Sequence, residues 1–173
     1  MIGIILEKMI QYFGNDIPRI NHALKVYGFA HSIADTQKLS ESEVFIVDVA
    51  AIFHDIGIVQ AEKIHKSTAG KYQEIEGPGV ARQLLSDVEI TPHVLDRICF
   101  IIGNHHSYDA INGIDFQIIV EADFLVNMFE ETCSQEAIET IRTKYFKTSA
   151  GIRLLDTMYQ GSSQASKKHQ HFT

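Results

Sequence analysis

The stretch Ser40-Glu41-Ser42-Glu43, followed by Val44-Phe45-Ile46-Val47-Asp48-Val49-Ala50-Ala51-Ile52-Phe53-His54, constrains the fold more than any other part of the chain. Ser40 can accept from the N–H three residues on while Glu43 reaches back, the reciprocal capping box that opens a helix. The cap and the length of the run favour a helix over a strand, and its apolar residues lie nearly all round. Such a segment is stable only when other elements cover it on every side. It is therefore expected to be a buried central helix, from Val44 to about His54, ended by Gly57.

The rest of the chain supplies the cover. Ile4, Ile5, Met9, Ile10 and Phe13 recur at helical spacing, and Gly14-Asn15 ends that first helix. A second helix is expected from Asn15/Asp16, with Pro18 tolerated in its first turn, through Ile20, Leu24, Tyr27, Ala30 and Ile33 to about Leu39. Residues 58–72 are polar and read as irregular. A further helix is expected near Gln73, running through Val80, Leu84 and Leu85. Thr91-Pro92 marks an N-cap with proline at the first helical position, for a helix ending at Asn104–His106. Asn112-Gly113 is a turn, and Phe116–Glu130, Glu136–Phe146 and Ala150–Tyr159 are amphipathic. With no period-2 strand and no repeat, the fold class is all-α, an irregular helical bundle.

At 173 residues, 45% apolar and 21% charged, the chain has the composition of one globular domain, placed at residues 1–160. The Ser/Gln/Lys/His-rich residues 161–173 are expected to be a disordered tail, with His169 and His171 solvated. A net charge of −7, with no Lys/Arg cluster before the tail, argues against a nucleic-acid backbone or an anionic membrane as partner. Met1–Leu6 has no basic lead and is interrupted by Glu7 and Lys8, so it reads as neither secretory signal nor membrane span. Cys99 and Cys133 lack CxxC spacing and read as reduced, buried thiols, which points to a cytoplasmic protein.

Nine histidines against no tryptophan is the unusual figure, and five of the nine fall between His54 and His106. His54-Asp55 follows the apolar run directly. Burying an imidazole and a carboxylate together costs several kcal/mol unless both are paired or share a cation. A helix C-cap for His54 and a Lys or Arg partner for Asp55 would also satisfy them. His22, mid-helix in Ile20-Asn21-His22-Ala23-Leu24, read alone is a boundary histidine, and Asp123, in Val120-Glu121-Ala122-Asp123-Phe124, read alone is a surface carboxylate. The set changes that reading: two imidazoles and two carboxylates, each on a helix with a core face, make a mixed N/O shell for a divalent transition ion.

The order His … His-Asp … Asp resembles the HD domain superfamily of metal-dependent phosphohydrolases, over about residues 20–130. His22-Ala23-Leu24-Lys25-Val26 resembles the first motif, Ala51-Ile52-Phe53-His54-Asp55-Ile56-Gly57 the defining one, and Glu121-Ala122-Asp123 the last. The resemblance implies an irregular bundle of α-helices around a site in which His22, His54, Asp55 and Asp123 are the metal ligands. In the dinuclear branch a further histidine opens the next helix and a His pair follows. Here the pair is His105-His106, and the earlier position is Glu76, so Glu76 and His105 are the expected ligands of a second ion. A first-turn acid favoured by the helix dipole is the alternative for Glu76, and a cap with a solvent-facing neighbour is the alternative for His105-His106.

Two departures narrow the substrate. Ile58 stands where many relatives carry lysine, and Ser107-Tyr108-Asp109 replaces the Gly-Tyr-Pro element of cyclic-dinucleotide phosphodiesterases. The expected reaction is hydrolysis of a nucleotide or other small phosphate ester, a phosphomonoester or phosphodiester. It would use one or two ions of Mn, Fe, Co, Ni or Zn. Asp55 would orient or deprotonate water, and His105 or His106 would stabilise phosphoryl charge or protonate the leaving oxygen. His65, Lys66, Lys71 and Arg82 are the cations near the motif, and Lys71 and Arg82 are the substrate-binding candidates, although solvated surface charges are the commoner role. A dinuclear iron oxygenase, a catalytically silent metal- or nucleotide-binding domain, and a possible homodimer stay open.

Overall fold

The computed structural model describes residues 1–160. Among these residues nine α-helices follow one another: α1 (Ile2–Phe13), α2 (Ile17–Ala34), α3 (Glu41–Phe53), α4 (Ile58–His65), α5 (Gly70–Leu84), α6 (Pro92–Ile102), α7 (Ile114–Glu130), α8 (Gln135–Tyr145) and α9 (Ser149–Leu155). A 3-10 turn, Tyr108–Ala110, precedes α7, and a π-helical turn, Asp156–Gln160, continues α9. No strand occurs among the described residues. The expected tail, with His169 and His171, lies outside them.

The all-α expectation holds, and α3 is the reason the bundle closes. Ser40 Oγ accepts from Glu43 N at 3.3 Å while Glu43 Oε2 accepts from Ser40 N at 2.8 Å, so both halves of the capping box form. Helices α1, α2, α6 and α7 all pack on α3. Val47, Val49, Ala50, Ala51 and Phe53 have no exposed surface. Valine and isoleucine are mediocre helix formers, whereas enclosing each large apolar side chain contributes about 1.5–3 kcal/mol. Packing, more than local propensity, therefore holds this helix. Asp48, the one acid within Val44–Phe53, is buried too, and its Oδ1 accepts from His31 Nδ1 of α2 at 2.8 Å.

Several boundaries differ from the sequence reading. α2 stops at Ala34, short of Leu39, because Thr36 Oγ1 turns back to donate to the Ile33 carbonyl at 2.8 Å and the chain bends towards Ser40. The residues read as irregular, 58–72, contain α4, whose Ala61 is buried and whose length lies against α5. Its polar composition concealed it, since only one narrow side is covered. α5 begins at Gly70, ahead of Gln73, and carries Pro78 inside it. α6 ends at Ile102, so His105 and His106 occupy the turn beyond the helix.

The link from α3 to α4 explains the glycine after His-Asp-Ile. A Cβ at Gly57 would lie 2.3 Å from the Gln73 carbonyl oxygen and 2.6 Å from Gly77 N, inside the backbone of α5. Only glycine lets α5 approach this elbow, and that approach sets the position of His54-Asp55 against the α6–α7 turn. At the other end of the turn, Arg97 of α6 donates from Nε and Nη2 to the two oxygens of Asp115, at 2.7 and 2.6 Å, and from Nη1 to Asn112 at 2.8 Å. The segment carrying His105 and His106 is thus tied at both ends. Both cysteines are free, Cys99 buried and Cys133 half-buried. No single helix among the described residues is long and apolar enough to cross a membrane.

Candidate metal centre

Three helices and one turn deliver the polar side chains to a common point. His22 comes from the first half of α2, His54-Asp55 from the end of α3, Asp123 from the middle of α7, and His105-His106 from the turn after α6. They form two groups. Ligand atoms of His22, His54 and Asp123 lie within 4.8 Å of one another, and so do those of Asp55, His105 and His106. In the first group His22 Nε2 is 3.1 Å from His54 Nε2 and 3.3 Å from Asp123 Oδ1. Asp55, of the second group, also faces the first: Oδ2 is 3.4 Å from His54 Nε2 and 3.6 Å from His22 Nε2, and Oδ1 is 3.3 Å from His105 Nε2.

The far nitrogens of three imidazoles are already committed. His54 Nδ1 donates to the Ala51 carbonyl and His105 Nδ1 to the Ile102 carbonyl, each at 2.8 Å. His22 Nδ1 donates to Glu130 Oε2 at 2.9 Å. Each ring therefore presents Nε2 to the centre, the arrangement that orients metal-bound histidines. Two such Nε2 atoms 3.1 Å apart, both acceptors in the neutral rings, repel unless a cation or a proton stands between them. The His54 side chain has no exposed surface and that of His22 only 12%, so solvent does little to relieve this. The donor set fits a divalent metal ion.

The titration behaviour follows from the same crowding. Burial would push the His54 imidazole down, but the carboxylates of Asp55 and Asp123 outweigh it and raise it to about 9. Burial likewise opposes ionisation of Asp55 and Asp123, yet the facing histidines hold both below the usual carboxylate range. His106 goes the other way: burial, then the neighbouring His105, lowers it to about 4. Its Nε2 is buried without a hydrogen-bond partner. A neutral imidazole with an unshared nitrogen is a ligand in waiting rather than a proton donor.

The other candidates from the sequence sit around these groups. Glu76 accepts from His65 Nε2 at 2.9 Å and belongs to neither group of three. Lys71 lies over the Tyr72 ring, 4.6 Å from its centroid, and Arg82 donates to Asp96 on α6 at 2.7 Å.

Several supporting residues carried no signal in the sequence. Glu130 follows Asp123 by two helical turns on α7, and besides His22 it binds Lys25. Asn127 donates to Asp123 Oδ1 at 2.9 Å. Glu74 accepts from His106 N at 3.0 Å and from Ser107 Oγ at 3.1 Å, fixing the turn. Gly70 leaves room for the His106 ring, since a Cβ there would lie 2.4 Å from Cδ2. Arg19, one turn before His22, pairs with Glu62 at 2.7 Å and feels the charge of Asp55. The stripe Asp123, Asn127, Glu130 at i, i+4, i+7 is the only part of this that a helical wheel exposes, and there it looks like any polar face.

A family model described as HD domain matches residues 19–141, which covers all six residues of the two groups. No curated protein and no solved structure matches the chain.

Proposed function

We propose that this chain, which belongs to the HD domain family, a superfamily of metal-dependent phosphohydrolases, hydrolyses a small phosphate ester, nucleotides included, at a centre whose two groups of donors would hold divalent ions. The observation that carries the reading is the pair of three-residue groups, with the Asp55 carboxylate of the second also facing the first. His22, His54 and Asp123 would hold one ion with Asp55 Oδ2, and His105 and His106 the other with Asp55 Oδ1. Mixed imidazole and carboxylate donors suit Mn, Fe, Co, Ni or Zn. When bound, the ions lower the pKa of water and neutralise charge on the phosphoryl oxygens.

The chain's own part is positioning. Ala51, Ile102 and Glu130 fix the imidazole tautomers, and Asn127 fixes the Asp123 carboxylate. Asp55, held ionised by the surrounding histidines, orients the attacking water. Arg19, one turn from His22, is held by Glu62 and Asp16. Water adds to phosphorus and gives up a proton to solvent, the bond from phosphorus to the ester oxygen breaks, and that oxygen takes a proton from solvent and leaves as the alcohol.

The test is a panel of phosphate mono- and diesters assayed with Mn2+, Co2+, Ni2+, Fe2+ and Mg2+ added separately. Turnover of at least one ester that is metal-dependent and lost in Asp55→Ala supports the reading. Full metal occupancy with no turnover on the panel would replace it with a silent binding domain. Oxygen consumption by the iron-loaded protein would replace it with an oxygenase, which the two-ion grouping also suits.

A further inference from the structure

Beside the centre lies a cavity of about 320 Å3, lined by His106, Ser107, Tyr108, Asp109, Lys144 and Tyr145. It is at the small end of ligand pockets, which run roughly 300–1,000 Å3, so it suits one ring system rather than a long chain. His106 belongs both to its wall and to the second donor group, so a molecule seated there abuts the centre. Two tyrosines of its wall, Tyr108 and Tyr145, pack on each other and on Phe124. Tyr108 is 5.4 Å from Phe124 and 4.6 Å from Tyr145, and Phe124 stacks on Tyr145 at 4.8 Å with 22° between planes. Phe124 follows Asp123 directly, and Tyr108 comes two residues after His106, so the platform is fastened to the site residues themselves.

The rim has both polarities. Asp109 and Lys144 are both exposed, and Lys144 Nζ stands 4.9 Å above the Tyr145 ring. An apolar phosphate ester would find the two charges useless. A ring whose edge carries donors and acceptors uses them both, while its face stacks on tyrosine.

We infer that this cavity is the specificity pocket of the centre: it seats a flat heteroaromatic ring of nucleobase type on Tyr108 and Tyr145, reads the ring edge with Asp109 and Lys144, and so presents the attached phosphate to the ions beside His106. The inference rests on the hydrolase reading for the phosphate half and on the cavity alone for the ring half.

The Mn2+-loaded full chain is assayed on nucleoside monophosphates and on ribose 5-phosphate, which has the sugar and phosphate but no base. The expected KM is about tenfold lower for the nucleotides, the size of one base–tyrosine stack. In Tyr145→Leu the KM ratio collapses to within twofold, and in Tyr145→Phe it persists. In Asp109→Ala and Lys144→Ala, both at exposed positions, the ratio changes differently for adenine, guanine, cytosine and uracil. Saturation-transfer NMR with the phosphate-free nucleosides gives a readout independent of turnover. Signal on the base protons in wild type and its loss in Tyr145→Leu are expected. Ester turnover with equal KM values and no transfer to any base overturns the pocket and leaves the hydrolase reading standing. Nucleoside transfer without turnover of any ester overturns the hydrolase reading and leaves the pocket. If Tyr145→Leu fails to fold, unchanged base selectivity in both rim variants overturns the edge-reading.

Discussion

Asp55 Oδ1 lies 3.3 Å from His105 Nε2, while the other oxygen of the same carboxylate faces His54 at 3.4 Å. One side chain at the end of α3 thereby joins the helix-borne histidines to the turn-borne pair. Asp55→Ala should abolish metal-dependent hydrolysis and reduce bound metal to less than half of the wild-type content. Far-UV circular dichroism should be unchanged, because the helices are held by the α3 core and not by Asp55. Wild-type metal content in the variant would count against the joined centre.

Glu130 works on His22 from behind. Replacing a residue that orients a metal-bound histidine typically weakens metal binding about 10–100-fold. Glu130→Ala is expected to fall in that range in a chelator competition. Glu130→Gln should be milder, since the amide oxygen still accepts from Nδ1. Equal affinity in wild type and Glu130→Ala would show that Lys25 is the only partner of Glu130 that matters.

Metal should stabilise the fold, because the centre ties α2, α3 and α7 to the α6–α7 turn. At a free ion concentration of about 100 Kd the gain is about 2.7 kcal/mol. A chelator should therefore lower Tm by several degrees, and added Mn2+ should restore it. A Tm insensitive to both would place the ion elsewhere or nowhere.

Gly57→Ala tests the elbow. Its methyl would meet the α5 backbone at 2.3 and 2.6 Å, and backbone cannot swing aside as a side chain can. A cost of about 3 kcal/mol is expected by chemical denaturation, at the upper end of overpacking penalties. Metal affinity should fall with it, since the shift moves His54-Asp55. A variant as stable as wild type would mean that α5 does not press on the elbow in solution.

The Arg97–Asp115 pair gives a pH signature away from the centre. Burial opposes ionisation of Asp115, but the two hydrogen bonds from Arg97 and one from Phe116 N hold its carboxyl below the usual range. A depressed folded pKa means that the pair's contribution is fully present above the unfolded value, about 4. It is lost as pH falls through the folded pKa. Asp115→Asn should cost about 2 kcal/mol at pH 7, as for a hydrogen-bonded charge, and progressively less below pH 4. A constant difference from pH 7 down to pH 2 would assign the loss to something other than ionisation.

The fold class, and the imidazoles and carboxylates that meet at one point, were legible in the order of residues alone, for a physical reason. An all-apolar helix behind a capping box requires neighbours on every side, and Ser40, Glu43 and Val44–Phe53 state that locally. His54-Asp55 at its end forces a buried polar pair that must be compensated, and Gly57 marks where another backbone presses close. By contrast, α4 was hidden, because a short helix with one covered side has almost no periodic signal. Glu130, Glu74 and Gly70 act on His22 and His106 across 108, 32 and 36 positions of sequence, and no local pattern encodes such distances.

What the sequence by itself determined was therefore chemical type and helical frame: imidazoles and carboxylates on core-facing helices in the order His22, His54-Asp55, His105-His106, Asp123. Only the tertiary structure decided the grouping. It set Asp55 of one group of donors to face the other, turned Glu76 towards His65, and brought Tyr108, Phe124 and Tyr145 into one platform beside His106. Local interactions choose a helix and its ends, but which side chains share a point depends on how helices cross. That is settled by the shapes of their buried faces and by close approaches such as Gly57 to Gly77.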